Sequence, residues 1–194
     1  MAGMSLYQLM ENAGLYVFNS LRRLFPSAKK LLVLAGHGNN GGDAYVVARL
    51  AIEQGLYCVV CELGNHQKLS DDAKQARQKW QRLSPAVLDF AALEFSEYDV
   101  CVDGMLGTGI KGDLRTPYAE VIAQLNQSDI PVLSIDIPSG MNADTGVACG
   151  EAVVAQHTCT FIGKKAGLVT GHIVSDAFYV KIGTIFVFLV KFWP

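Results

Sequence analysis

A glycine-rich segment constrains this chain more than any other feature of its sequence. Four glycines fall within Gly36–Asp43, between an apolar run at Leu31–Ala35 and a segment of helical periodicity at Gly42–Gln54. This succession predicts a buried strand, a tight turn and a helix. Glycine allows a positive φ and a close approach of the backbone to a ligand, and the free amides of a first helical turn attract anions. A purely structural turn needs fewer glycines, so the segment predicts a nucleotide site.

Strand and helix signals alternate along the rest of the chain. Helical periodicity predicts helices at Leu6–Leu21, which Ser5 caps, at Asp71–Leu83, and at Thr116–Asn126, which opens with a Thr116 cap and a first-turn Pro117. Apolar runs predict strands at Tyr57–Leu63, Tyr98–Leu106, Val132–Ile137, His157–Ile162 and Phe178–Ile182, and a strand or packed tail at Ile185–Val190. Near-continuous apolar strands that alternate with helices predict an α/β fold with a mostly parallel sheet and helices on both faces.

Length and composition narrow the class of protein. A chain of 194 residues fits one domain, so we expect residues 1–194 to form a single unit. The net charge is −2 and the lysines and arginines are scattered, which argues against a nucleic-acid partner. The Ile185–Val190 run is too short to cross a bilayer, so no membrane association is expected.

The cysteines indicate the compartment. Their number is five, which is odd, and the chain opens without a secretory leader, so we expect a reducing cytoplasm and no disulfide framework. Cys58 and Cys61 have the spacing of a redox or zinc pair. Because they lie in a predicted strand at odd spacing, we expect their side chains on opposite faces, which makes that function improbable.

Polar side chains follow three of the predicted strands. In an open parallel sheet, ligands bind outside the carboxyl ends of the strands. Asn40, Asp103 and Ser139 would bring hard oxygens with a single formal charge to that edge, which suits an alkali cation better than zinc or calcium. For Asp103, and for Asp136 at the next strand end, the alternative is a carboxylate that caps the amides of its own loop.

Four motifs occur in order along the chain: Gly38–Asp43 (GNNGGD), Val102–Gly112 (VDGMLGTGIKG), Ile135–Gly140 (IDIPSG) and Thr160–Gly171 (TFIGKKAGLVTG). Together they resemble the N-terminal, epimerase domain of the NAD(P)H-hydrate repair enzymes, over about Leu6 to Gly183. The resemblance implies a Rossmann-like three-layer sandwich. It also implies an isomerase that interconverts the R and S forms of NADH or NADPH hydrated at C6 of the nicotinamide ring.

The resemblance also implies site residues. The hydrated dinucleotide would contact Asn39, Asn40, Gly41, Gly42, Asp43, Gly107, Thr108, Gly109, Ile110, Lys111, Gly112, Asp113 and Asp136. Asn40, Asp103 and Ser139 would hold one potassium ion per subunit. Inversion at C6 needs a general acid and a general base, so we assign the proton transfer to Asp136, with Lys111 or Asp113 as second choices.

The same resemblance implies partners, and two rival functions remain. Relatives imply a homodimer and a dehydratase that is fused to the epimerase or works with it. The first rival is a catalytically silent module that binds a nucleotide or dimerises on the same scaffold. The second rival is a dehydrogenase, but the spaced glycines of its dinucleotide fingerprint do not follow Leu31–Ala35.

Overall fold

A parallel β-sheet forms the centre of the computed structural model, which describes residues 5–110, 114, 116–161, 165–170 and 184–188. The strands are β1 Lys30–Ala35, β2 Tyr57–Glu62, β3 Ala86–Leu88, β4 Val100–Gly104, β5 Val132–Ile135, β6 His157–Phe161 and β7 Thr184–Phe188. The helices are α1 Leu6–Leu24, α2 Asn39–Glu53, α3 Asp71–Gln81, α4 Tyr118–Gln127 and α5 Ala166–Thr170. The seven strands lie in the order β3-β2-β1-β4-β5-β6-β7, and every pair of neighbours is parallel.

Helices cover both faces of the sheet, which confirms the predicted three-layer α/β architecture. Successive side chains of a strand point to opposite faces. Leu31 and Val33 of β1 therefore pack with α1, α2 and α3, whereas Leu32 and Leu34 pack with α4 on the other face. Each face has its own apolar core, which explains why the strands read as continuous apolar runs.

The order of the strands positions the functional cavity. β1 pairs with β2 on one side and with β4 on the other, so the direction of strand addition reverses at β1. The loops after β1 and β4 lead away to opposite faces, and a crevice forms between them at the carboxyl ends. The register pairs Ala35 with Gly104, so β1 and β4 end side by side at this crevice.

Several local predictions are confirmed. Ser5 caps α1 with a capping box, because its hydroxyl accepts from the amide of Gln8 while the side chain of Gln8 accepts from the amide of Ser5. Cys58 and Cys61 lie in the cores on opposite faces of the sheet, as their spacing predicts, and both are free thiols. For the apolar run at Ile185–Val190, the strand alternative is confirmed by β7, Thr184–Phe188, and residues 189 and 190 lie outside the described residues.

Other predictions differ from the structure. The second helix starts at Asn39, not at Gly42, so half of the glycine-rich segment is already helical. Pro117 occupies the N-cap of α4 without a capping side chain, and the helix begins one residue later than its predicted first turn. The sequence did not predict β3, because this short edge strand buries little apolar surface. The strand predicted at Phe178–Ile182 lies outside the described residues. No helix in the described part of the chain has the length and apolar character to cross a membrane.

Candidate functional site

A cavity of about 830 Å³ opens at the carboxyl ends of β1, β4, β5 and β6. This volume lies within the range of small-molecule and cofactor pockets. Its lining comes from α1, from the segments after the four strands, from α2 and α3, and from the start of α4: Leu6, Leu9, Met10, Ala13, His37, Gly38, Asn39, Asn40, Asp43, Asp72, Met105, Leu106, Gly107, Thr108, Gly109, Ile110, Leu114, Tyr118, Asp136, Phe161 and Lys165. The crevice predicted from the strand pattern therefore exists.

The glycines after β1 permit close packing of the backbone. A Cβ on Gly36 would lie 1.7 Å from the carbonyl oxygen of Met105, and a Cβ on Gly41 would lie 1.9 Å from that of Gly36. Neither residue has the positive φ that we expected of this segment. The expectation was wrong because the chain enters a regular helix at Asn39, where φ is negative. The glycines instead bring the first turn of α2 directly against the end of β4.

The N-terminus of α2 faces the cavity. Gly38 is its N-cap and makes no side-chain capping bond, and the first intrahelical bond there joins the amide of Gly42 to the carbonyl of Gly38. The amides at the very start of a helix have no intrahelical acceptor and carry the positive end of its dipole. Asn39 and Asn40 therefore bring backbone donors to the cavity that suit a phosphate group.

Asp103 is fully buried beneath the cavity at the end of β4. Its Oδ1 accepts from the Ser139 hydroxyl at 2.5 Å and from the amide of Met105 at 3.3 Å. Its Oδ2 accepts from the Ser134 hydroxyl at 2.8 Å and from the amide of Ser139 at 2.9 Å. Burial raises the pKa of this carboxyl group, and the four hydrogen bonds counteract only part of that effect.

Asn40 lies next to this network. Its Nδ2 donates to the carbonyl of Leu106 at 3.1 Å, and the amide of Leu106 donates to the Ser139 hydroxyl oxygen at 2.8 Å. The Oδ1 atom of Asn40 is buried and has no hydrogen-bond partner among the residues that the structure describes. A buried amide oxygen without a donor is costly, and a cation would satisfy it. Asn40 and Ser139 thus both bond to the backbone of Leu106, and Ser139 also bonds to Asp103, so the three residues belong to one network whose oxygens fit a hard cation.

Asp136 and Lys165 form an ion pair on the opposite side of the cavity. Asp136 follows β5 with a φ of 66°, a left-handed conformation that is uncommon for residues other than glycine. Its amide donates to the carbonyl of Cys159 at 2.7 Å, which fixes this strained turn against β6. The Nζ atom of Lys165 contacts the Asp136 carboxylate and also donates to Phe161 O at 2.9 Å and Thr160 Oγ1 at 3.2 Å. Both side chains are about one-fifth exposed, at 19% for Asp136 and 21% for Lys165.

A second carboxyl group lies close to this pair. Asp43 lines the cavity from the second turn of α2. Burial, and after it the negative charge of Asp136, raises the pKa of Asp43 well above its usual value. Asp43 therefore holds a proton at a pH where an ordinary aspartate has lost it. The cavity combines a carboxyl group with a raised pKa, a carboxylate paired with a lysine, and a helix N-terminus.

The structure brings most of the predicted dinucleotide residues to the cavity. Those that line it are Asn39, Asn40, Asp43, Gly107, Thr108, Gly109, Ile110 and Asp136. Gly41 and Gly42 do not line it: Gly41 packs on Gly36, and a Cβ on Gly42 would lie 2.5 Å from the methyl carbon of Met10. Lys111, Gly112 and Asp113 lie outside the described residues, so the structure gives no position for Lys111.

Sequence reasoning missed several residues of the cavity. Lys165 belongs to the Lys164-Lys165 pair, and the only signal for it was its place in the fourth motif. The apolar wall contributed by α1, which includes Leu9 and Met10, is far from the other lining residues in sequence and carries only the pattern of a core-facing helix. Such a wall could not have been distinguished from ordinary core by periodicity.

The parallel sheet with a strand reversal at β1 and a glycine-rich helix start at the crevice defines a Rossmann-like α/β domain. The family described as YjeF-related protein N-terminus matches residues 6–167, so the chain belongs to this family. This membership agrees with the resemblance that the four motifs predicted.

Similar proteins carry names that agree with the family. The bifunctional NAD(P)H-hydrate repair enzyme Nnr of Escherichia coli is 39% identical over 169 residues, which cover 87% of this chain and 33% of that protein. The NAD(P)H-hydrate epimerase of Limosilactobacillus fermentum is 39% identical over 163 residues, which cover 84% of this chain and 77% of that protein. The crystal structure of yeast ynu0 matches with a TM-score of 0.77 and 27% identity, covering 86% of this chain and 75% of that one. The chain spans about a third of the length of the bifunctional relatives that it matches.

Proposed function

We propose that this chain is an NAD(P)H-hydrate epimerase, an isomerase that interconverts the R and S forms of hydrated NADH and NADPH. The observation that carries the proposal is the pair of carboxyl groups in the cavity. Asp43 has a raised pKa, and Asp136 is paired with Lys165. Neighbouring carboxyl groups in different environments can divide the roles of acid and base. The names of the relatives support the same activity.

The reaction needs proton transfer but no redox step. The hydrated C6 carbon bears a hydroxyl group and the ring nitrogen. Either hydroxide leaves and water returns to the other face, or the ring opens and closes again. Both routes need an acid at the departing atom and a base for the return. Asp43 would act as the acid because it holds a proton, and Asp136 would act as the base.

Lys111 of the sequence-based hypothesis stays a prediction, and the described part of the cavity adds a second lysine, Lys165. Its three hydrogen-bond acceptors fix Nζ between β6 and Asp136. An ammonium group held in this way orients the Asp136 carboxylate toward the cavity, so we classify Lys165 as a positioning residue. The amides at the start of α2 and the Gly107–Ile110 segment would bind the phosphates and the body of the dinucleotide.

The proposal includes a potassium ion held by Asn40, Asp103 and Ser139. Two observations on the described residues support it: Oδ1 of Asn40 has no hydrogen-bond partner among them, and the buried Asp103 carboxylate receives its hydrogen bonds there from neutral donors. When bound, the ion would supply a positive charge that offsets the Asp103 carboxylate. The residues that hold it join the ends of β4 and β5 to α2, beneath the floor of the cavity.

The proposal also covers the setting of the enzyme. The five cysteines are free thiols, which fits a reducing cytoplasm. The names of the bifunctional relatives support a dehydratase as the partner activity. The homodimer is proposed on the resemblance alone.

The decisive experiment measures epimerisation with a chirally resolved assay on R-enriched and S-enriched hydrates, with and without potassium. We expect Asp136→Asn to lower kcat by about 100-fold or more while it still binds the nucleotide. Asp144→Asn, which changes an exposed aspartate on a loop, is the matched control and should retain full activity. Undiminished rates for Asp136→Asn would remove Asp136 from the mechanism. Nucleotide binding without turnover by the unaltered protein would instead support the silent binding module.

A further inference from the structure

His37, Tyr118 and Leu63 form a chain of hydrogen bonds at the edge of the cavity. The Nδ1 atom of His37 lies 2.8 Å from the Tyr118 hydroxyl oxygen. The same hydroxyl donates to the carbonyl of Leu63 at 3.1 Å. A phenol has one proton, and a carbonyl can only accept. The Tyr118 proton is therefore committed to Leu63, and the His37 Nδ1 must be the donor in the other bond.

This argument places a proton on Nδ1 of His37. A neutral imidazole carries one proton, and when that proton is on Nδ1 the Nε2 atom is an acceptor. Among the residues that the structure describes, none makes a hydrogen bond with Nε2 of His37. The His37 ring lines the cavity. Its free acceptor is thus available to a ligand.

The surroundings hold the two side chains in place. A Cβ on Gly64 would lie 2.4 Å from both His37 Nδ1 and the Tyr118 hydroxyl oxygen, so the bond between them requires glycine at this position. Gly64 also has a φ of +86°, which favours glycine independently. Burial raises the pKa of the Tyr118 phenol, which keeps its proton in place at neutral pH. The arrangement is a rigid positioning device for the imidazole.

The position of His37 indicates which part of a ligand it meets. His37 follows β1, and Asp136 follows β5, two strands further along the sheet. Neighbouring strands lie about 4.8 Å apart, so the two residues are separated by roughly 10 Å along the edge of the sheet. His37 is also next to the N-terminus of α2, where phosphates would bind. On the proposed function, His37 would therefore lie nearer to the phosphates than to the reacting ring.

We propose that His37 is a substrate-binding residue whose Nε2 accepts a hydrogen bond from a ribose hydroxyl group flanking the phosphates, with Tyr118 as the positioning residue that holds its tautomer. The inference rests on the proposed function, because it uses a hydrated dinucleotide as the ligand. In the neutral ring, Nε2 offers a lone pair to which an unprotonated phosphate oxygen can donate nothing, so it is matched to a hydroxyl donor. The contact lies far from the chemistry, so it belongs to binding and not to the barrier.

The first test observes the tautomer directly. Long-range ¹H–¹⁵N NMR spectra of ¹⁵N-histidine-labelled protein distinguish a protonated from an unprotonated ring nitrogen, and His37→Ala identifies the His37 signals among the four histidines. We expect Nδ1 to be protonated, Nε2 to be unprotonated, and Nε2 to shift when ADP-ribose is added. Tyr118→Phe should release the ring into a mixture of tautomers. The proposal would be overturned if the Nε2–H tautomer predominates in the unaltered protein, or if the Nε2 signal does not shift when ADP-ribose is added.

The second test uses binding energies in a double-mutant cycle. We expect His37→Ala to weaken ADP-ribose about three- to tenfold, the range of one hydrogen bond, and Tyr118→Phe to weaken it by a similar or smaller factor. The double variant should bind no worse than His37→Ala, because Tyr118 acts through His37. Tyr57→Phe, at an exposed tyrosine, is the matched control and should bind normally. Strictly additive effects would contradict the positioning role of Tyr118.

Two further measurements distinguish a ribose contact of His37 from a phosphate contact and from a catalytic role. Competition by inorganic pyrophosphate, which has no ribose, should be equal for the unaltered protein and for His37→Ala. An equal loss for pyrophosphate and ADP-ribose would identify a phosphate contact and refute the hydroxyl assignment. In turnover, His37→Ala should raise KM and leave kcat unchanged. If the unaltered protein does not epimerise hydrates, the proposed function fails. The NMR measurement of the tautomer and the ADP-ribose affinities then still test the role of His37.

Discussion

Lys165→Met removes the ammonium group that holds Asp136, and its effect can be worked out from the contacts. Lys165 donates to the Asp136 carboxylate, to Phe161 O at 2.9 Å and to Thr160 Oγ1 at 3.2 Å. Removing one partner of a fully buried ion pair costs about 3–5 kcal/mol. The two side chains are 21% and 19% exposed, so water recovers part of that loss. We expect the free energy of unfolding to fall by roughly 2–3 kcal/mol.

The effect on catalysis should exceed the effect on binding. Without Lys165 the Asp136 carboxylate keeps only the longer contacts from Thr160 Oγ1 at 3.2 Å and the amide of Phe161 at 3.5 Å among the described residues, so it can shift. A displacement of about 1 Å at a reacting group costs about 100-fold in rate. We therefore expect kcat to fall by about 100-fold in Lys165→Met, with KM changed by less than about threefold. Urea unfolding gives the stability, and the chirally resolved epimerisation assay gives kcat and KM.

Lys165→Arg is the matched control because it keeps the charge. It should recover most of the stability, but only part of the rate, since a planar guanidinium does not reproduce the geometry of an ammonium. If Lys165→Met unfolds in the assay, the Arg variant still reports on geometry. A kcat for folded Lys165→Met within twofold of the unaltered protein would refute the idea that Lys165 positions the base.

Two further predictions concern stability. Gly41→Ala should lower the free energy of unfolding by about 3 kcal/mol and weaken the binding of ADP-ribose, because the new Cβ would lie 1.9 Å from the carbonyl oxygen of Gly36. Gly38→Ala is the control and should cost much less, because nothing lies within 4 Å of its new Cβ. Equal effects of the two variants in urea unfolding would contradict this reasoning. Burial raises the pKa of Glu62, but the hydrogen bonds from Arg77 and Tyr45, together with the nearby charges of His66 and Arg77, outweigh it, so the folded pKa lies below the usual 4.5. This stabilisation is present above the unfolded pKa and is lost as pH falls through the folded pKa, so between about pH 5 and pH 3 the unfolding free energy should fall less steeply in Glu62→Gln than in the unaltered protein. If the unfolding free energies of the two proteins fall equally steeply with pH, Glu62 does not cause this loss of stability in acid.

Much of the fold could be predicted from the sequence because the signals are local. The apolar run ending at Ala35 and the helical spacing after Gly42 depend only on the periodicity of the backbone, and they placed β1 and α2 correctly apart from the exact start of the helix. The edge strand at Ala86–Leu88 left no such signal because it is short and little buried. The start of α4 was predicted one residue too early, because the exact end of a helix leaves only a weak signal in the sequence.

The candidate site could be predicted only in part. Asp103 and Asp136 were found because Asp103 lies at the end of β4 and Asp136 directly after β5, and the carboxyl ends of parallel strands share one edge. Neither the ion pair with Lys165 nor the hydrogen bond between His37 and Tyr118 could be predicted in this way, because these partners are 29 and 81 residues apart. Their meeting depends on the order of strands in the sheet, which local periodicity does not contain.

The sequence by itself determined the class of fold, the family and the strand ends where polar groups gather, since these follow from dihedral preferences, apolar spacing and ordered motifs. Only the tertiary structure decided what each residue does there. It assigned Gly36 and Gly41 to close packing instead of positive φ, gave Asn40 Oδ1 no donor within the described part of the chain, and raised the pKa of Asp43. Burial and charge at a point in space come from all segments that surround it, and those segments are brought together only by the completed sheet.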